Sequence, residues 1–102
     1  RMPATYCAVY TALNYLEEAF KTSNCPLEEI EMQVIYLIVA LSIKLGDFTK
    51  ANSYISVFNS LHSARVLKMK EDPKLNTVFI DRWSDKAKIL WEDRETPDLF
   101  DD

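Results

Sequence analysis

Glycine occurs once in 102 residues, at Gly46, where an average usage of ~7% would supply several. Phosphate-cradling loops, dinucleotide fingerprints and nucleophile elbows all need glycine, because the backbone must take positive φ or approach a ligand closely. None can be built here in standard form. Tight type I′ hairpins lean on glycine as well, which disfavours a sheet of hairpins. Histidine also occurs once, at His62, and cysteine twice, at Cys7 and Cys25, with no Cys-x-x-Cys pair. A zinc site therefore lacks its usual ligands. The two cysteines lie eighteen residues apart, about 27 Å along a helix, whereas bridged Cα atoms sit within about 7 Å. Both read as reduced thiols. There is no Asn-x-Ser/Thr sequon, no secretory leader and no apolar run of membrane-spanning length. The expectation is an intracellular protein, cytoplasmic or nuclear, with no membrane segment and no cofactor. Arg1 ahead of Met2 reads as the mark of a cut or tag, and hence of a piece of something larger.

What is present is ordinary for a folded chain. Apolar residues make up 48% and charged residues 27%, which fits one globular domain and excludes disorder. The net charge is −4, unevenly placed. Residues 1–70 carry seven Lys/Arg against six Asp/Glu, and residues 71–102 five against ten. Nonspecific attraction to nucleic acid or anionic lipid is disfavoured by that balance.

Periodicity predicts four helices. The first covers residues 4–21, where Tyr6, Val9, Tyr10, Leu13, Leu16 and Phe20 recur at three- and four-residue spacing and Glu17 and Glu18 occupy the other face. Pro3 suits its start, and the stretch around Asn24, Cys25 and Pro26 breaks it. The second covers 27–45 and opens with Glu28, Glu29 and Glu31, acids that complement a helix N-terminus. Residues 34–41 are apolar on every side, a pattern for a buried central helix, with full burial in this chain or by a second one expected. A β-strand is the competing reading; the acidic start and the Gly46 stop favour helix. The third helix covers 48–69, with Phe48, Ala51, Ile55, Phe58 and Leu61 inward. Pro73 separates it from the fourth, 74–93, which shows Phe79, Trp83, Ala87, Leu90 and Trp91 on one face. Residues 1–95 form a single all-α domain of four antiparallel helices, a compact bundle or an array of helical hairpins, and 96–102 form an acidic tail.

Gly46, Asp47 and Phe48, followed by Ala51, make a turn that resembles the tetratricopeptide-type helical hairpin, which carries a Gly-x-aromatic turn and then a small residue. The resemblance covers residues 32–60. Val39, Ser42 and Phe58 depart from the repeat's small, aromatic and alanine positions, and no second copy follows at 34-residue spacing. The resemblance implies helices packed as a hairpin and places no ligand-binding residue.

Candidate chemistry is thin. Cys7 or Cys25 with His62 would make a nucleophile–base pair, yet nothing in the sequence joins them, and a core thiol with a surface imidazole is the better reading. Glu17/Glu18, Glu28/Glu29 and Asp101/Asp102 are sequence neighbours, which point about 100° apart on a helix and share no site. His62, Arg65, Lys68, Lys70 and Lys74 form a local basic stretch that could contact phosphate or nucleic acid. Glu71 and Asp72 interrupt it, and no aromatic residue lies between Leu61 and Asn76 to stack a base. Trp83 reads as core. Trp91, near the last helix end, is balanced between core and interface anchor, and Leu99 and Phe100 in the tail could anchor on a partner's groove. The expected function is a non-catalytic helical protein–protein interaction module, a subunit or domain of a larger assembly that binds a protein partner or its own copy. The alternative is a nucleic-acid-associated module using 62–74.

Overall fold

The computed structural model describes residues 4–22 and 29–94. Within them are four α-helices and no strand: α1 (Ala4–Lys21), α2 (Glu29–Lys44), α3 (Phe48–Met69) and α4 (Val78–Glu92). The all-α expectation holds, and the bounds of α1 and α3 are those that periodicity predicts. The expected start of the second helix at 27, like the Asn24, Cys25 and Pro26 breaker and the 96–102 tail, lies outside the described residues.

The α2–α3 turn is closed by backbone chemistry. Gly46 N–H donates to Ile43 C=O and Asp47 N–H to Ser42 C=O, which satisfies carbonyls at the end of α2. That pairing needs a left-handed residue, and Gly46 takes φ 77°. Asp47 then caps α3, its carboxylate accepting from Lys50 N–H at 3.1 Å. One residue ends one helix and starts the next, so the pair is held as a tight hairpin.

The core lies between α2, α3 and α4. Met32, Ile35 and Val39 meet Ala51 and Phe58 of α3 and Ile80 and Ala87 of α4, all buried. Phe20, Tyr36, Tyr54, Phe79, Trp83 and Trp91 close over its edges, with Tyr36 tilted against Trp83 at 5.4 Å between ring centroids. Two expectations for α4 need correction. The helix starts at Val78, not 74: Thr77 is its N-cap, and just before it Asn76 Oδ1 accepts the Val78 N–H in a local turn. Of the expected face, Ala87 is buried and Phe79, Trp83 and Trp91 pack half-buried against the core, but the centre of the buried stripe is Ile80 and Ser84. Large amphipathic rings settle at the edge of a core and leave its centre to compact side chains.

α1 stands apart. None of its Cα atoms comes within 8 Å of one in α3 or α4, and its backbone packs on α2 alone. Leu13 is its fully buried apolar side chain, and Ile38 and Ser42 of α2 are also buried. The Ser42 hydroxyl has no hydrogen-bond partner among the described residues. The molecule measures 53 × 28 × 18 Å with a radius of gyration of 14.9 Å, above the ~13 Å usual at this length. The longest helix, α3, spans about 33 Å by its rise. α1 lies outside the core of α2, α3 and α4. No described helix is long and apolar enough to cross a membrane.

Candidate interaction surface

α2 is fully buried along one side only. Glu31, Met32, Ile35, Ile38, Val39 and Ser42 are buried, and at 100° per residue they occupy about a third of the circumference. Opposite runs Ile30, Val34, Leu37 and Leu41, spaced four, three and four. Ile30 is 61% and Leu37 44% exposed, with Val34 and Leu41 half-buried. Full burial of 34–41 within this chain is thereby corrected: three neighbouring helices cover one side of a helix that is apolar on both. Spacing of four and three makes a straight apolar stripe suited to another helix. The outer side of α1 adds Ala8, Ala12, Tyr15 and Ala19, all exposed.

α1 is fastened to α3 by a polar clasp. Lys50 Nζ donates to Glu17 Oε1 at 2.7 Å, and Tyr54 Oη donates to Glu17 Oε2 at 3.0 Å. Phe20 packs edge-on against the Tyr54 ring, 5.8 Å between centroids. Glu17 does not lie on a solvated face, as periodicity predicts; its side chain is 15% exposed. Burial pushes its carboxyl up, but the hydrogen bonds from Lys50 and Tyr54 outweigh this and hold it below the usual range. Lys50 is raised by its bond to Glu17 against the opposing effect of burial. Tyr54 is pushed up to about 12, first by burial and then by the carboxylate it donates to.

The residues picked from the sequence are dispersed. Trp91 packs edge-on against Phe48, with ring centroids 6.2 Å apart, and the Arg94 guanidinium covers it at 4.0 Å. It is half-buried at the α3–α4 edge. Leu99 and Phe100 lie outside the described residues. Of the basic stretch, His62 Nε2 meets Asp81 Oδ1 at 3.4 Å. Arg65 donates through Nε to the Asn76 carbonyl at 2.9 Å and lies over the Phe79 ring. Lys68, Lys70 and Lys74 are exposed. Cys7 is an exposed free thiol, not the core thiol expected; the N-terminal half of α1 has no second helix over it. His62 is held on α4 by Asp81, and α1 makes no close backbone approach to α3. The structure does not bring Cys7 and His62 together.

A cleft of about 200 Å³ opens between α3 and α4, lined by Asn59, His62, Asp81, Ser84, Asp85 and Lys88 over a floor of Phe58 and Ile80. Sequence reasoning named only His62 and, as an inward residue, Phe58 among these. No signal in one sequence pairs 59–62 with 80–88. Among the described residues, no three of His, Cys, Asp and Glu group as a metal would require. Comparison with protein-family models, curated proteins and solved structures finds no match.

Proposed function

We propose that the chain is a non-catalytic helical interaction module whose outer α2 face receives an amphipathic helix of a protein partner. One observation carries the reading: Ile30 and Leu37 stand 61% and 44% exposed on a stripe continued by Val34 and Leu41. Leaving large apolar side chains in water forgoes about 25 cal/mol per Å², and a partner helix recovers it. The spacing of the stripe, four and three, is the one that interlocks with the same spacing on a second helix. The hairpin turn at Gly46 and the small, buried Ala51 behind it support the tetratricopeptide-type likeness as part of this reading.

Selection from a displayed library of random 16-residue peptides tests it. Enriched peptides should carry apolar residues at alternating three- and four-residue spacing, and binding should be lost on Ile30→Glu with Leu37→Glu while helicity is kept. No enrichment, or binders indifferent to both substitutions, would remove the proposal. A second reading, nucleic-acid association, keeps only Lys68, Lys70 and Lys74 as exposed cations, with His62 and Arg65 engaged internally. Phosphate binding by three lysines must weaken steeply with salt, which a salt titration with generic RNA or DNA would reveal.

A further inference from the structure

We propose that the α3–α4 cleft is a binding site for a single cationic group, a guanidinium or ammonium, on a short alkyl stem. It stands apart from the α2 face and does not rest on it. The first observation is Ser84. It is 7% exposed and lines the cleft, and its hydroxyl makes no hydrogen bond among the described residues. Ser53 and Ser56 of α3, by contrast, turn back on their own helix, donating to the Thr49 carbonyl at 3.0 Å and the Asn52 carbonyl at 3.1 Å. The Ser84 side chain lines the cleft, and its hydroxyl, unused among the described residues, is available to a ligand there.

The second observation is the charge around it. Asp81 is already engaged on both oxygens, by His62 at 3.4 Å and by Thr77, which donates to Oδ2 at 2.8 Å. Asp85, one turn further along α4, has no ion pair or hydrogen bond among the described residues. The site thus holds one fixed carboxylate, one free carboxylate, a free hydroxyl oxygen and the Asn59 amide, whose oxygen accepts. Two carboxylates stand against one lysine in the lining, a balance of charge that favours a cation. Lys88 at the rim supplies the opposing charge. Beneath lie Phe58 and Ile80, apolar and buried, which suit the methylenes of a stem. The volume is below the ~300–1,000 Å³ of sites for drug-sized ligands, so it admits a head group and its first carbons and excludes a nucleotide.

The chemistry is shared by a free small cation and by an Arg or Lys side chain presented by a protein. Amide resonances of the full chain, followed by NMR, distinguish them with two probes: methylguanidinium, and N-acetyl-arginine amide, whose only charge is its guanidinium. Saturable shifts confined to residues 58–62 and 80–88 are expected with both. Equal affinity marks a site for free cations, and tighter binding of the arginine amide marks a side-chain pocket. Asp85→Asn, a solvent-exposed change that leaves the fold alone, should weaken binding about tenfold, and Ser84→Ala should weaken it severalfold. Lys88→Met should tighten it about threefold by removing a like charge. Shifts that fail to saturate, spread over every acidic surface, or persist unchanged in Asp85→Asn would overturn the assignment. Acetate moving the same resonances would also overturn it, since Lys88 would then be the recognising group.

Discussion

Glu17 is the carboxylate on which α1 depends for its hold on α3. It receives Lys50 at 2.7 Å and Tyr54 at 3.0 Å, so protonating it removes an ion pair and weakens both hydrogen bonds. Its folded pKa is lowered from 4.5, and the stability it contributes is therefore present above 4.5 and lost as pH falls through the folded value. Acid should loosen α1 first, and Glu17→Gln should remove most of that acid sensitivity in hydrogen exchange measured across α1. Burial first, and the Glu17 carboxylate second, raise Tyr54 to about 12, so its neutral form is favoured by folding and this contribution fades only as pH rises above 10. An ultraviolet titration should show the Tyr54 phenol ionising near that value, and moving only part of the way back in Glu17→Gln, since burial remains. Ser42 makes the opposite case. Its hydroxyl is buried without a partner, which costs about 1–3 kcal/mol. Ser42→Ala should therefore raise the melting temperature by a few degrees, and a clear fall would show that the hydroxyl is satisfied.

Among the elements, α2 decides the architecture, because it is apolar all round and the other three helices cover only part of it. The two sides should respond differently to truncation. Ile38→Ala should cost about 2–5 kcal/mol through the cavity it leaves. Leu37→Ala, at a side chain 44% exposed, should cost under ~1 kcal/mol. Denaturant unfolding of both variants checks the contrast, and equal losses would mean that Leu37 is covered. These elements are legible in the sequence where local chemistry acts: Gly46 and Asp47 mark a turn, and three-four spacing marks α1 and α3. Legibility ends where tertiary packing chooses. Glu17 reads as solvated until Lys50 and Tyr54 are seen beside it. The apolar pattern of α4 is set by its large rings, so Ile80 and Ser84, which form its buried stripe, are missed. Ser84 and Asn59 carry no sequence signal at all, since their role exists only once α3 and α4 are side by side.

For the molecule as a whole, length and exposed apolar surface belong together. A long axis of 53 Å accompanies an α1 whose backbone packs on α2 alone. The layer of α3 and α4 closes one side of α2 and leaves Ile30 and Leu37 in solvent. A partner helix on that side would complete the packing that the sequence of α2 demands. The same sequence announces an excess of apolar faces without saying which one stays open; it takes the positions of three other helices to locate it. The most direct measurement places a photo-crosslinking amino acid at position 37 and, in a parallel sample, at the exposed position 63 of α3, with irradiation in living cells. The account predicts a cross-linked adduct of one discrete mass from position 37, none from position 63, and loss of that adduct on Ile30→Glu. Equal labelling from the two positions, or none from either, would contradict it.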